Sequence, residues 1–232
     1  MQICVISHQR PLNVPKIQAH TCGSEVWFVG KGEGNLYRAA GATNVIESGK
    51  LCESRNAALR YAWERNEPCV QLSDDFAGVS KIGTDKRIQK LRLFEALDIL
   101  LEELENTPFK LAGVPPTANP MNFHPEKLYC TNRFIIGDFF IAKPCDVFFD
   151  ENMSLKEDYA YTMEHYIKYG GALRVEYLLA TFQHRTNHGG AVEARTSQKE
   201  QEMIEYLVKK YPNAVTRRKT KPNEVYLKAE KL

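Results

Sequence analysis

The chain is expected to form an α/β fold, a sheet flanked by helices, and three observations predict it. Short apolar runs such as Gln2 to Ser7 and Glu25 to Val29 alternate with segments of helical periodicity. The stretch from Ser54 to Phe76 reads as a helix, then a buried strand, then two adjacent carboxylates where the strand runs out. The length of 232 residues suits one large domain, or one domain with a small appendage.

Within that central stretch, Ser54 is the expected N-cap. Ala57, Ala58, Tyr61, Ala62 and Trp63 supply an apolar face at helical spacing. Asn66-Glu67-Pro68 ends the helix, because the residue before a proline is pushed out of the helical region. Cys69 to Leu72 has the length and character of a strand, and Ser73, Asp74 and Asp75 follow at its carboxyl end. Ligands of open α/β sheets sit at that end of the strands. Two neighbouring carboxylates repel unless a cation or donor is near. Mg²⁺ or Mn²⁺ bridging to a diphosphate relieves the repulsion, since these ions take one or two carboxylates plus phosphate oxygens.

Composition sets bounds. Hydrophobic residues make up 43% of the chain, enough for a sizeable core. The net charge is only +2, so nucleic-acid binding requires local clustering of basic residues. There is no long apolar run for a membrane span, and Met1 to Arg10 lacks the basic start and apolar length of a signal peptide. The cysteines at 4, 22, 52, 69, 130 and 145 include no C-x-x-C pair, which argues against a zinc ribbon. Reduced thiols in a cytoplasmic protein are the expectation.

Taken in order, Gln2 to Ser7 is the first strand, bounded by His8-Gln9-Arg10-Pro11. Ser7, His8 and Arg10 leave its carboxyl end and are candidates for a base or phosphate contact. Glu25 to Val29 is the second strand. The following G-K-G-E-G matches neither the Walker pattern nor the dinucleotide fingerprint, and reads as a turn into a short helix. Asn44 to Glu47 is another short strand. Arg55 and Asn56 then open the central helix, where free N–H groups and a guanidinium could reach a diphosphate. Phe76 to Lys81 is a strand or bend, and Lys86 to Asn106 a long amphipathic helix.

Phe109 to Val114 is the next strand. The loop from Pro115 to Pro125 carries Asn119 and Asn122, candidates for the acceptor side. Thr131 to Ala142 reads as one or two strands broken at Gly137-Asp138, and Asp146 to Asp150 as an exposed connection. Met153 to Gly170 is a helix with Glu157 and Asp158 near its first turn, where carboxylates answer the dipole or serve as a general base. Gly170-Gly171 ends it. Ala172 to Phe182 is the last clear strand and runs into Gln183-His184-Arg185-Thr186-Asn187-His188, where one imidazole could ligate a metal. Ser197 to Tyr211 is a final amphipathic helix. Arg217, Arg218, Lys219 and Lys221 form a basic tail of the kind that grips a phosphate backbone.

Three features now stand in order: S-R-N-A followed by a strand and S-D-D, K-E-D near a helix start, and a His-bearing strand end. From Met1 to about Gly190 this arrangement resembles the GT-A class of nucleotide-sugar glycosyltransferases. K-E-D-Y-x-Y-T with its Gly-Gly turn, and T-N-H-G-G later, look like the small phage and TET/JBP-associated glycosyltransferases proposed to modify hydroxymethylated pyrimidines in DNA. The resemblance implies one Rossmann-type GT-A-like domain with a mixed sheet over residues 1–190. A C-terminal helix and basic tail over 191–232 would pack on it or extend from it. Asp74 and Asp75 match the D-x-D position, with Asp75 on Mn²⁺ or Mg²⁺ and Asp74 on the sugar or ribose; Ser73 stands where the usual first acid would be. Glu157-Asp158 match the E-D pair whose second carboxylate is the base of inverting enzymes. His184, or else His188, matches the C-terminal metal ligand.

The partners that the resemblance implies are a nucleotide-sugar, UDP-linked by class, and double-stranded DNA carrying hydroxymethylpyrimidines, in a host cytoplasm if phage-encoded. Two other readings stand beside this one. The same donor site could serve a protein, glycan or small-molecule acceptor, or the chain could be a non-catalytic nucleic-acid-binding module. A nucleotidyltransferase would want a glycine-rich basic loop after the first strand, and Ser7 to Asn13 lacks one.

Overall fold

The computed structural model describes residues 1–183, 196–228 and 231. It is an α/β structure with a mixed eight-stranded sheet between two helical layers, and a smaller antiparallel sheet at one side. The chain begins with β1 (Gln2–Ile6), a single 3₁₀ turn at Pro11–Asn13 and α1 (Val14–Thr21). β2 (Val26–Val29), α2 (Gly34–Ala39), β3 (Val45–Glu47), α3 (Leu51–Trp63) and β4 (Cys69–Ser73) follow. β1 pairs in parallel with β2 and β4, and β2 in parallel with β3.

After the acidic turn come β5 (Phe76–Ile82), β6 (Ile88–Leu91), α4 (Leu93–Glu105), β7 (Leu111–Gly113), β8 (Tyr129–Cys130) and β9 (Phe139–Ala142). α5 (Glu157–Tyr169), β10 (Leu173–Val175), β11 (Leu178–Phe182), α6 (Ser197–Lys210), β12 (Val215–Arg217) and β13 (Val225–Leu227) complete it. The main sheet runs β3-β2-β1-β4-β9-β7-β10-β8, and β11-β5-β6 form the small sheet. β9 lies antiparallel between β4 and β7, so the main sheet is mixed.

The period of two in the strands sorts the core. Ile3, Val5, Val70 and Leu72 face α1 and α4, while Cys4, Cys69, Phe140 and Ala142 face α3, α5 and α6. α6 and the β12–β13 hairpin add Ile204, Leu207, Val215 and Val225 to that second cluster, so the C-terminal segment is packed on the main sheet's helical layer.

Several expectations are corrected. α1 stands where the sequence signals no helix. α3 begins at Leu51, a turn earlier than Ser54; the Glu53 carboxylate accepts the Lys50 N–H at 2.8 Å, and the Ser54 hydroxyl donates to the Gly49 carbonyl at 3.2 Å. Lys86 to Asn106 is not one helix, because Ile88–Leu91 pairs with β5 before α4 starts. Of Thr131 to Ala142 only Phe139–Ala142 is a strand, inserted between β4 and β7. In Asp146 to Asp150, Val147 and Phe149 are buried rather than exposed. Ala172 to Phe182 is two strands in two sheets. The basic tail is a folded hairpin. Among the described residues, no helix is long and apolar enough to cross a membrane.

Candidate functional site

β4 lies at the middle of the main sheet, and its carboxyl end delivers Ser73, Asp74 and Asp75 into a tight turn before β5. Both aspartates are buried. β1 runs parallel beside β4, so the loop leaving β1 reaches the same turn. There a relay of hydrogen bonds forms. The Arg10 N–H donates to the Tyr37 hydroxyl at 3.1 Å, Tyr37 and Ser7 share a bond of 2.6 Å, and the Ser7 hydroxyl donates to Asp74 Oδ2. Asp74 Oδ1 lies 3.1 Å from Arg10 Nη1. Burial pushes the Asp74 carboxyl up to about 6; the neighbouring Asp75 adds to this, while Ser7 and Arg10 oppose it.

His8 stands more exposed, with Nδ1 2.5 Å from Glu33 Oε1, and the other Glu33 oxygen accepts the Gln9 N–H at 2.8 Å. Glu33 thereby ties the loop after β1 to the loop after β2. In that second loop the Gly32 and Gly34 N–H groups donate to the Glu47 carboxylate at 2.7 and 3.1 Å. These amides are occupied from within the chain, which agrees with reading G-K-G-E-G as a turn.

A second acidic centre sits at the start of α5. Glu157 is buried and Asp158 half-buried. Lys156, just before the helix, is left-handed at φ 60°, and Gly170 closes the other end at φ 74°. The Gly137 N–H donates to Asp158 Oδ2 at 3.2 Å, and the Tyr159 N–H to Oδ1 at 3.0 Å. Burial, then the charges of Glu157 and Asp138, hold the Asp158 carboxyl well above the usual carboxylate range; Arg55 and the Gly137 N–H act the other way.

One short segment joins the two centres. The Asp138 carbonyl accepts the Ser73 N–H at 2.8 Å, while the adjacent Gly137 holds Asp158. The acidic turn of β4 and the head of α5 are thus anchored on consecutive residues.

Arg55 and Asn56 are placed otherwise than expected. They lie in the second turn of α3 and are buried, not at an open helix start. Arg55 Nη1 donates to Gln71 Oε1 at 3.1 Å and to the Gly137 carbonyl at 2.7 Å, and Nη2 lies 3.2 Å from Glu157 Oε1. The Asn56 amide bonds both the N–H and the carbonyl of Phe149, at 2.7 and 3.0 Å. Apart from Arg55 Nε, which has no hydrogen-bond partner among the described residues, their polar groups are engaged inside the protein.

Asn119 and Asn122 are exposed on a 3₁₀ turn, where Asn119 Oδ1 accepts the Met121 N–H at 3.0 Å. In the hairpin Arg217 pairs with Glu205 at 3.1 Å, Arg218 with Glu224 at 2.5 Å, and Lys221 with Glu224 at 3.0 Å; Lys219 is exposed between them. His184 and His188 lie outside the described residues.

Among the described residues no group of three His, Cys, Asp or Glu side chains converges as a metal site. Both oxygens of Asp74 are taken by Ser7 and Arg10. Asp75 Oδ1 accepts the Ser73 hydroxyl at 2.7 Å, and a carboxylate at a strand end is the kind of oxygen donor that Mg²⁺ or Mn²⁺ takes beside diphosphate and water.

Tyr37, Gly137 and Gln71 belong to the site, and sequence reasoning misses them. Gly137 shows in the sequence only as a break in a strand pattern, and nothing local marks Tyr37 or Gln71, since each acts through a partner distant in the chain.

No protein-family model matches the chain, and no curated protein matches it. Among solved structures, it is similar to mannose-1-phosphate geranyltransferase from Thermus thermophilus, at 11% identity and a TM-score of 0.36. The match covers 78% of this chain and 57% of that one, so the chain spans little over half of its neighbour's length.

Proposed function

We propose that this protein is a metal-dependent glycosyltransferase that moves a sugar from a nucleotide-sugar to a hydroxyl acceptor, with a 5-hydroxymethylpyrimidine in phage DNA as the first acceptor to test. The observation that carries the reading is the linkage of two carboxylate centres through Gly137-Asp138 at the carboxyl end of β4. One centre suits a diphosphate and the other an acceptor hydroxyl.

In this reading His8 and Arg10 face the donor nucleotide, and Asp74, backed by Ser7, holds the Arg10 guanidinium in place. Asp75 would hold Mg²⁺ or Mn²⁺, and the ion would supply Lewis-acid stabilisation of the leaving diphosphate. The acceptor oxygen attacks the anomeric carbon in line, and the bond to the diphosphate breaks. Asp158 Oδ takes the hydroxyl proton. A carboxylate whose proton affinity is raised by its surroundings is a better base than an ordinary one.

The test is mass spectrometry of hydroxymethylated and unmodified DNA after incubation with a panel of sugar nucleotides and Mn²⁺. A mass gain of one sugar only on the hydroxymethylated DNA supports the reading. Asp75→Ala is expected to abolish Mn²⁺-dependent sugar-nucleotide hydrolysis with the fold retained. Asp158→Asn keeps donor binding and loses transfer by about 10²-fold or more; near-normal transfer would remove Asp158 from the role. Nucleotide binding without turnover in either form points to a binding module instead. The ion pairs of Arg217, Arg218 and Lys221 with acids favour a second reading, in which the same donor site serves an acceptor that is not DNA.

A further inference from the structure

We infer that Arg55 is a positioning residue: its guanidinium grips the Gly137 backbone and Glu157 together, and so fixes the orientation and charge environment of Asp158. The inference rests on the reading of Asp158 as the base.

The geometry is a clamp across four segments. Arg55 rises from α3 and is itself locked, because the Gln71 amide on β4 donates to the Arg55 carbonyl at 2.8 Å while its oxygen accepts from Nη1 at 3.1 Å. The fixed fork then takes the Gly137 carbonyl at 2.7 Å and Glu157 at 3.2 Å. The guanidinium also lies over the Phe149 ring, 5.2 Å from its centre. A lysine could not bridge these acceptors with one planar fork. Gly137 must be glycine for this approach. A methyl group there would stand 2.7 Å from Arg55 Nη2 and 3.2 Å from Asp158 Cβ. The grip on the carbonyl places the same residue's N–H on Asp158 Oδ2.

Among the described residues, the charged groups that act most on Asp158 come from three elements. Glu157 precedes it on α5, Asp138 faces it from the segment before β9, and Arg55 approaches from α3; the neighbouring Tyr159 phenol also feels it. Arg55 is the cation among them. Its removal should make Asp158 harder to ionise, and removal of Glu157 should do the opposite. An arginine that merely pinned helices together would alter stability without this pattern of opposite signs.

The experiment follows the Asp158 side-chain carboxyl by ¹³C NMR titration of the full chain, assigned with Asp158→Asn, so it does not depend on turnover. Arg55→Met is expected to move the Asp158 midpoint upward by roughly one pH unit, and Glu157→Gln to move it downward. Gly137→Ala, which displaces the guanidinium and strains the N–H bond, is expected to move it upward as well. Arg55→Lys keeps a cation and should shift the midpoint less than Arg55→Met, while kcat for transfer falls with an unchanged KM for donor. A folded Arg55→Met protein with an unmoved midpoint overturns the inference. If Arg55→Met does not fold, an unmoved midpoint in Gly137→Ala overturns it. Should Asp158→Asn transfer sugar normally, the catalytic reading fails while the titration result still stands or falls by itself.

Discussion

His165 lies midway along α5 with no exposed surface, and neither ring nitrogen has a hydrogen-bond partner among the described residues. Burial lowers its pKa to about 3, with Asp146 opposing and Lys168 assisting. In an unfolded chain the imidazole titrates at about 6.5. Between those two values the unfolded state binds a proton that the folded state refuses. Its contribution is therefore fully present above pH about 6.5 and is lost as pH falls, by up to about 1.4 kcal/mol per unit. His165→Leu should flatten the stability profile between about pH 5 and 6.5. Urea unfolding at several pH values checks this; an identical slope in both proteins would mean that the folded imidazole takes up the proton. At this scale the sequence exposes Asp74, Asp75 and Asp158, because strand ends and helix starts are local signals. It conceals Tyr37 and Gly137, whose partners Ser7 and Arg55 lie 30 and 82 positions away.

The start of α3 depends on a pair of residues rather than one cap. Gly49 sits at φ 126°, and a methyl group there would collide with the Glu53 carboxylate that accepts the Lys50 N–H. Glu53→Ala should cost about 1 kcal/mol, as for loss of an N-terminal cap. Gly49→Ala should cost more than that, since it adds backbone strain to loss of the cap. The double variant should cost less than the two single changes together, because both remove the same bond; full additivity in a denaturant cycle would separate them. Elements with an internal apolar stripe, such as α3, α5 and α6, are legible in the sequence. α1 is hidden by prolines at 11 and 15, though proline is tolerated in a first helical turn. Ile88–Leu91 continues the charged pattern of the helix after it, and only its pairing with β5 makes it a strand. Leu173–Val175 and Leu178–Phe182 form one apolar run in the sequence, yet Glu176-Tyr177 turns the chain from one sheet to another.

On the scale of the whole molecule, α6 and the hairpin belong to the packed body of the protein. Their apolar residues share a cluster with α3 and α5, and Lys210 and Tyr206 both reach Asp150 at 2.8 Å. Lys156, next to the acidic head of α5, donates to the Asn223 carbonyl of the hairpin at 2.6 Å. The basic residues are thus carried beside the α5 start on a folded support. Residues 215–232 hold six Lys or Arg against two Glu, on a chain of net charge +2. Changing Arg217, Arg218, Lys219 and Lys221 to Gln should leave thermal stability nearly intact, since exposed pairs contribute about 0–1 kcal/mol each. If the hairpin meets phosphates, the same variant should bind DNA more weakly, and its log–log salt slope should shrink by about 0.9 for each phosphate no longer neutralised. Because Glu205 and Glu224 already engage three of these side chains, the shrinkage should be smaller than four neutralised phosphates would give. Fluorescence anisotropy against salt concentration measures it. An unaltered slope would take the hairpin off the DNA side.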